Sequence, residues 1–333
     1  MLIALTLLAA AALSSALIVV MMPLLVRYAL ARPNARSSHT VPTPQGGGIA
    51  VVAAALVVAT ATLVSLSTPL AHFGIVVAAS VALGILGIID DIRPLPARPR
   101  LLLQVLAVVA ILFTAEYRVF PDSVPLVVER AFLLLGGVWF VNLVNFMDGL
   151  DWITVAEMVP ITAFMAALGG FGDLPAIPAL LAAALCGALI GFAVFNKPPA
   201  KLFLGDVGSL PIGLLVGWLL LQLAGTGALA AAILLPLYYV ADATITLLRR
   251  LARREKVWEA HRSHFYQQAT VNGFSAMAVS GHVFALNICL AGLAAWTILS
   301  PTPIVQILAL LTGSALVGLL LRRFSQARLE ISA

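Results

Sequence analysis

The sequence predicts an all-α, polytopic membrane protein with about eleven transmembrane helices, and three observations support this fold class. Of the 333 residues, 62% are hydrophobic and only 10% are charged, whereas a soluble domain carries about 25% charged residues. Apolar runs long enough to cross a bilayer follow one another along almost the whole chain. Positive charge falls on alternate connections between these runs. We therefore expect one integral membrane domain over residues 1–333.

The predicted spans follow from a hydropathy window of about 19 residues. The first run lacks a charged leading segment and is too long for a signal-peptide core, so we expect an uncleaved helix. In chain order the spans cover approximately residues 2–26, 46–67, 71–89, 101–115, 127–146, 152–170, 177–195, 206–224, 228–248, 277–299 and 303–321.

The distribution of Lys and Arg predicts the orientation of these spans. Of the 19 Lys and Arg residues, 17 fall on one side of the membrane, and only Arg118 and Arg130 fall on the other. Because cytoplasmic loops are enriched in positive charge, we expect the amino terminus outside and the carboxyl terminus in the cytoplasm. The loops that contain the polar motifs described below would then lie in the cytoplasm. They cover about 27–45, 90–100, 146–151, 196–205 and 249–275.

One polar stretch, Asn142-Leu-Val-Asn-Phe-Met-Asp-Gly-Leu-Asp151, ends the fifth predicted span. At a spacing of three residues it carries two amides and two carboxylates, which are Asn142, Asn145, Asp148 and Asp151. That spacing keeps them near one face of a helix. Such groups at the end of a hydrocarbon span are costly unless they face a cavity, a metal or a polar ligand. An aqueous turn rich in Asn, Asp and Gly is the alternative.

Two adjacent carboxylates, Asp90 and Asp91, end the third span. Adjacent aspartates repel one another and attract Mg²⁺, which prefers oxygen ligands and is usually held by one or two carboxylates plus phosphates. Arg98 and Arg100, a few residues further on, suit a phosphorylated ligand. Alternatively, these arginines only neutralise anionic lipid headgroups.

Glycines mark two further helix entrances. The run Gly46-Gly-Gly48 precedes the second span and can offer backbone N–H groups to a phosphate, or it forms a simple turn. Asp206 lies between glycines at the entrance to span eight, where the helix amino terminus favours an anion. Its alternative role is that of a helix N-cap.

The last cytoplasmic loop contains Trp258-Glu-Ala-His-Arg-Ser-His-Phe-Tyr-Gln-Gln268. His261 and His264 flank Arg262 and form a plausible phosphate clamp. A basic interfacial segment is the alternative. Asp242, inside span nine, is expected to pair with a neighbour such as Arg249.

Together these motifs resemble those of the polyprenyl-phosphate N-acetylhexosamine-1-phosphate transferases, a group of the glycosyltransferase family 4 type. The resemblance covers residues Pro33 to about Gly273. It is carried by the His-rich last loop and three sequence motifs: Asp90-Asp91 with Gln104, Asn142-x-x-Asn-x-x-Asp-Gly-Leu-Asp151, and Phe195-Asn-x-x-Pro-Ala-Lys-x-Phe-x-Gly-Asp-x-Gly-Ser209. The segment from His261 is most similar to that of members that initiate O-antigen synthesis.

The resemblance implies transfer of a HexNAc-1-phosphate from a UDP-sugar to undecaprenyl phosphate, with release of UMP. The product would be a polyprenyl-diphosphate-linked sugar that initiates the synthesis of a cell-surface, O-antigen-like polysaccharide. The implied enzyme lies in the bacterial inner membrane, with its active site on the cytoplasmic face and Mg²⁺, or else Mn²⁺, as cofactor. Its partners are the two substrates and membrane lipid, without nucleic acid, and a homodimer is left open.

The resemblance also implies roles for individual residues. The catalytic carboxylates would be Asp90, Asp91 and Asp206. The metal ligands would be Asp206, as the principal ligand, and Asp148. The substrate-binding residues would be Asn145, Asp148, Asp151, Asn196, Phe203, Arg98, Arg100, His261, Arg262 and His264, with Asn196 and Phe203 around the uracil.

Departures from the family pattern leave several alternatives open. His261-Arg-Ser-His264 replaces the consecutive histidines of the peptidoglycan translocase, Trp152 replaces a common glycine, and Gln45 stands where arginine is frequent. The donor sugar is therefore open between GlcNAc, FucNAc, QuiNAc and other sugars, with the phospho-MurNAc-pentapeptide translocase as the alternative activity. A covalent aspartyl-phosphate route and the separate roles of Asp90 and Asp91 also stay open. A secondary transporter is disfavoured because the acidic residues cluster at one face and no repeat is visible.

Overall fold

The computed structural model describes residues 1–31, 41–115, 118–256 and 261–327. Within these ranges the chain forms thirteen helices and one hairpin of two short antiparallel strands, β1 (Leu30–Ala31) and β2 (Thr43–Pro44). The helices are α1 (Leu2–Tyr28), α2 (Gly47–Ser65), α3 (Ala71–Ile92), α4 (Ala97–Phe113), α5 (Leu126–Met147), α6 (Ile153–Phe171), α7 (Ala176–Ala193), α8 (Asp206–Gly225), α9 (Leu229–Leu234), α10 (Leu237–Ala252), α11 (Phe265–Val271), α12 (Ala276–Leu299) and α13 (Pro303–Phe324). The prediction of an all-α, polytopic membrane protein is confirmed.

Nine helices in the described ranges are long and apolar enough to cross a membrane: α1, α2, α3, α5, α6, α7, α8, α12 and α13. The predicted count of eleven is not confirmed, because two expected spans differ. Helix α4 has 17 residues and carries Arg98 and Arg100 in its first turn. The segment expected at 228–248 breaks at Leu235 and Pro236 into α9 and α10, since proline lacks the N–H that a continuous helix needs.

Helices α7 and α8 form the centre of the bundle. About 78% and 89% of their apolar windows are buried, against 22% for α1 and α13. Glycines let α8 approach its neighbours closely. A Cβ on Gly48 of α2 would lie 2.2 Å from the Gly208 Cα, and one on Gly87 of α3 would lie 2.3 Å from the Asp206 carbonyl oxygen. This packing brings the end of α3 against the start of α8.

The loop before α2 is bound to the loop before α8. The N–H groups of Gly46 and Gly47 donate to the Phe203 carbonyl, and that of Gly48 donates to the Leu204 carbonyl. Gly46 has a φ of +110°, which glycine adopts readily. Because these N–H groups are already paired, the interpretation of the glycine run as a phosphate cradle is wrong, and its alternative, a structural turn, is correct.

The break between α9 and α10 exposes backbone N–H groups within the bundle, and a carboxylate from another helix accepts one of them. The Tyr239 N–H donates to Glu157 Oε1 at 3.3 Å. The Glu157 Oε2 accepts from Asn287 Nδ2 at 2.6 Å, and the Glu157 side chain is fully buried. Glu157 of α6 therefore helps to satisfy the interrupted helix at a depth where water is scarce.

Candidate active site

The loops at one end of the bundle enclose a cavity of about 450 Å³. Each of the five loops singled out in the sequence contributes to its wall, although residues 32–40 and 257–260 of the first and last loops lie outside the described residues. Six sequence-predicted site residues line it: Asp91, Asp148, Asp151, Asn196, Phe203 and Asp206. The fold thus gathers residues separated by more than 100 positions around one space.

Asp91 holds the first turn of α8. Its Oδ1 accepts from the Asp206 N–H at 2.9 Å, and its Oδ2 accepts from the Val207 N–H at 3.1 Å. Gln45 Nε2 donates to the same Oδ1 at 2.7 Å. The first N–H groups of a helix have no partner within that helix, so a carboxylate from α3 serves as their cap. Gly205 leaves room, since a Cβ there would lie 2.7 Å from the Asp91 Oδ2.

Asp90, the adjacent carboxylate, has different partners. It is buried, and its Oδ2 accepts from Arg100 Nη1 at 2.6 Å while its Oδ1 accepts from the Leu95 N–H at 2.6 Å. The same Arg100 Nη1 lies 4.0 Å from the Asp206 Oδ2. Asp90 therefore orients a cation beside Asp206, whereas Asp91 fixes the Asp206 backbone.

Asp206 begins α8 and meets the polar face of α5. Its Oδ1 accepts from Asn145 Nδ2 at 2.8 Å, and that amide also lies 2.9 Å from Ser209 Oγ. One turn earlier, Asn142 Nδ2 donates to Gln104 Oε1 at 2.7 Å and links α5 to α4. The spacing of three does place these amides on one face, but Asn145 faces the site and Asn142 serves helix packing.

Asp148 lies at the end of α5 and is partly exposed to the cavity. Its Oδ1 accepts from Thr154 Oγ1 at 2.5 Å. Burial, with a further contribution from the Asp91 charge, raises the pKa of Asp148 to about 7, and the Thr154 hydrogen bond acts in the opposite direction. A cation bound beside this carboxylate would favour its charged form.

Asp151 and Asn196 join two walls of the cavity. Asp151 Oδ2 accepts from the Ala200 N–H at 2.9 Å, and Asn196 Oδ1 accepts from the Trp152 N–H at 2.7 Å. Trp152 has a φ of +64°, a left-handed conformation that glycine adopts more readily than other residues. Asn196 Nδ2 also donates to the Leu202 carbonyl, so both ends of its amide form hydrogen bonds with backbone groups.

The last loop is organised by Asp242 of α10, which is fully buried. Its two carboxylate oxygens accept from the N–H groups of Phe265 and Tyr266 at 3.0 and 3.1 Å, and His264 Nδ1 lies 3.2 Å from Oδ1. The expectation that Asp242 pairs with a neighbour is met by His264 and the start of α11 rather than by Arg249. The His261 ring stacks on that of His264 at 4.9 Å.

The predicted phosphate clamp does not reach the cavity wall in the described part of the chain. His261, Arg262 and His264 are absent from its lining, and Arg98 is exposed to solvent. Burial, together with His264 and Arg250, lowers the pKa of His261 to about 4, so this imidazole is neutral at pH 7. Phosphate contacts by these residues stay a prediction. Gln267, which sequence reasoning did not single out, does line the cavity.

Comparison with known proteins connects this geometry to a family. The sequence profile of glycosyl transferase family 4 matches residues 73–224, which contain every cavity carboxylate described above. This part of the chain is therefore similar to that family.

Two curated proteins illustrate what the chain is similar to. The phospho-N-acetylmuramoyl-pentapeptide-transferase of Clostridium beijerinckii is 32% identical over 200 residues, which cover 54% of this chain and 60% of the relative. The probable undecaprenyl-phosphate N-acetylglucosaminyl 1-phosphate transferase of Bacillus subtilis is 28% identical over 262 residues, which cover 74% of this chain and 71% of the relative. The chain thus spans less than two thirds of the first relative.

The donor atoms around this cavity fit a hard divalent cation bound together with a ligand. No group of three or more His, Cys, Asp or Glu converges on one point within the described ranges. Mg²⁺, however, is commonly held by one or two carboxylates plus substrate phosphates and water. Asp91, Asp148 and Asp206 share one cavity, and burial, with a smaller contribution from the Asp91 charge, raises the pKa of Asp148.

Proposed function

We propose that this chain is a family 4 transferase, which moves a HexNAc-1-phosphate from a UDP-sugar to undecaprenyl phosphate and releases UMP. The observation that carries the proposal is the convergence of Asp91, Asp148 and Asp206, from three helix ends, on one cavity at the end of a membrane bundle. The name of the Bacillus relative supports undecaprenyl phosphate as the acceptor and a sugar 1-phosphate as the transferred group, and that of the Clostridium relative supports transfer of a phospho-sugar. The product would initiate an O-antigen-like surface polysaccharide.

The reaction exchanges one phosphate bond for another. An oxygen of the lipid phosphate attacks the β-phosphorus of the donor, and the bond from that phosphorus to the oxygen shared with the α-phosphate breaks. The leaving oxygen departs on UMP. A phosphate monoester has a second pKa near ~6, so the attacking group is mostly dianionic at neutral pH and needs no general base. Catalysis then rests on positioning and charge compensation.

Different residues of the chain would supply positioning and charge compensation. Asp206 and Asp148 would hold Mg²⁺, which, when bound, neutralises charge on the diphosphate. Asn145 orients the Asp206 carboxylate, and Asp91 fixes the backbone from which it projects. Arg100, held by Asp90, offers a cation to the acceptor phosphate. Because both oxygens of Asp90 and of Asp91 already accept hydrogen bonds, the geometry favours direct attack over an aspartyl-phosphate.

The donor is proposed to be an N-acetylated amino sugar without a peptide, such as UDP-GlcNAc or the 6-deoxy UDP-FucNAc and UDP-QuiNAc. The phospho-MurNAc-pentapeptide donor is the second candidate, because the Clostridium relative carries that name. A site that hydrogen-bonds the 6-hydroxyl can reject a 6-deoxy sugar strongly, whereas an apolar pocket discriminates less.

Release of UMP tests the function and the donor together. Purified protein is incubated with undecaprenyl phosphate, Mg²⁺ and UDP-GlcNAc, UDP-FucNAc or UDP-MurNAc-pentapeptide, separately and in competition. We expect UMP release with a peptide-free donor. Preferred turnover of the pentapeptide donor would contradict the O-antigen assignment, but it would agree with the proposed reaction class. No UMP with any of the three would contradict the proposed function.

The active site is proposed to face the cytoplasm from the bacterial inner membrane. In a Cys289→Ser background, Ser263→Cys in the exposed last loop should react with a membrane-impermeant thiol reagent only after cells are opened. Thr226→Cys, exposed at the other end of α8, is the matched control and should react in intact cells. Labelling of position 263 in intact cells would contradict the orientation.

A further inference from the structure

Gln267 is a buried polar side chain on the cavity wall, and its amide oxygen has no hydrogen-bond partner among the described residues. It belongs to the first turn of α11, is 7% exposed, and lines the same cavity as Asp148 and Asp206. Within the described part of the chain its Oε1 is buried and has no hydrogen-bond partner. Turning the amide over would bury the nitrogen instead, so one polar end would remain unpaired. Leaving such a group unpaired is costly unless a ligand pairs with it.

The surrounding structure holds this side chain in place. Asp242 caps the start of α11, and the Tyr266 hydroxyl donates to the Phe146 carbonyl at 3.1 Å. A Cβ on Gly149 would lie 3.3 Å from the Gln267 Nε2 and 2.3 Å from the Tyr266 hydroxyl oxygen. The Gln267 amide therefore packs against the backbone between Asp148 and Leu150, which is itself cavity wall.

We propose that Gln267 is a specificity-determining contact, whose amide hydrogen-bonds a neutral polar group on the sugar of the donor. This inference rests on the proposed function and deepens it. An uncharged amide offers both a donor and an acceptor, which matches the acetamido group and hydroxyls of an N-acetylhexosamine. The anionic diphosphate is better matched by the cation site at Asp148 and Asp206.

The nucleobase is assigned to a different wall. Phe203, the predicted uracil contact, is bridged to Gln45 on the loop before α2. Gln267 instead lines the cavity together with Gly149 and with Ala276 at the start of α12. With uracil and diphosphate assigned elsewhere, the sugar is the remaining part of the donor that a neutral amide can recognise by hydrogen bonding.

The test replaces Gln267 by Met, which keeps the length of the side chain and removes its hydrogen-bonding groups. Calorimetric binding with Mg²⁺ compares UDP with UDP-GlcNAc or UDP-FucNAc, whichever gives the greater UMP release. We expect affinity for the UDP-sugar to fall about three- to tenfold, as for one neutral hydrogen bond, and affinity for UDP to stay within about twofold. Gln306→Met is the matched control, because Gln306 lies in the first turn of α13 and is absent from the cavity wall, so its replacement should change neither affinity by more than about twofold.

Thermal unfolding of the ligand-free protein supplies a second readout. Gln267→Met should be at least as stable as the wild type, because it removes an unpaired buried polar atom; a purely structural glutamine would lower stability instead. Equal weakening of UDP and UDP-sugar, or no weakening of either, would overturn the assignment to the sugar. If wild-type protein neither binds a UDP-HexNAc nor releases UMP, the proposed function fails, and this inference fails with it.

Discussion

Replacing Asp206 by Asn is expected to lower kcat at least about 100-fold, equivalent to about 2.7 kcal/mol of transition-state stabilisation. The amide retains an oxygen that can accept from Asn145, as Oδ1 does now at 2.8 Å, so the start of α8 should keep its structure. What would be lost is the negative charge proposed to hold Mg²⁺, which would compensate charge on the transferring phosphate. UMP release at saturating donor, acceptor and Mg²⁺ measures the effect.

Asp122→Asn is the matched control for this experiment. Asp122 is fully exposed and pairs with Arg118, one of the two cations expected on the opposite side of the membrane. Its replacement should leave turnover unchanged. Purification and thermal unfolding of both variants would establish that they fold. Retention of more than about a tenth of wild-type turnover by Asp206→Asn, a loss below ~1.4 kcal/mol, would show that Asp206 is not the principal metal ligand.

Asp91→Asn is expected to lower both stability and activity, whereas Asp90→Asn should mainly weaken acceptor binding. An amide at position 91 can place an acceptor against one N–H of α8 but sets its own NH₂ against the other, where Asp206 and Val207 now both donate. The loss should be about 1–3 kcal/mol, with a Tm at least about 2 °C lower and roughly 100-fold lower kcat as Asp206 loses its position.

The neighbouring variant separates positioning from chemistry. Asp90→Asn removes the charge partner of Arg100, which now donates to Asp90 at 2.6 Å. The expected result is about a tenfold rise in KM for undecaprenyl phosphate with a smaller change in kcat. The variant would weaken the charge-assisted hydrogen bond between Arg100 and Asp90, which is stronger than a neutral one. An Asp91→Asn variant that loses activity at an unchanged Tm would instead assign Asp91 a direct chemical role.

Much of this protein could be predicted from the sequence because the main constraints on a membrane protein act on short stretches of sequence. These constraints are the length of the apolar spans and the cost of charged groups within or beside them. Apolar runs of about 20 residues indicate spans without knowledge of the fold. A carboxylate at the end of such a run is costly unless it has a function, so Asp148 and Asp206 are conspicuous in the sequence. The same rule applies to Glu157, an ionisable residue inside the sixth predicted span. Glu157 was not among the residues predicted from the sequence.

The partners of each polar group were decided only by the tertiary structure. Sequence shows that Asp90 and Asp91 are adjacent, but adjacent helical residues point in different directions, and the donors to Asp91 lie more than 110 positions away in α8. The glycine run before α2 could equally have cradled a phosphate until its N–H groups were seen to bind the loop before α8. Hydrogen bonds form between groups that are close in space, and closeness between distant segments is a property of helix packing.

The sequence by itself determined the fold class, the five working loops and the carboxylates that line the cavity, because hydropathy and local polarity depend only on neighbouring residues. The tertiary structure alone decided that Asp91 and Asp242 cap helices, that the histidines of the last loop lie off the described cavity wall, and that Gln267 lies on it. Capping needs a free helix end and a carboxylate from another element, and only the packed bundle brings the two together.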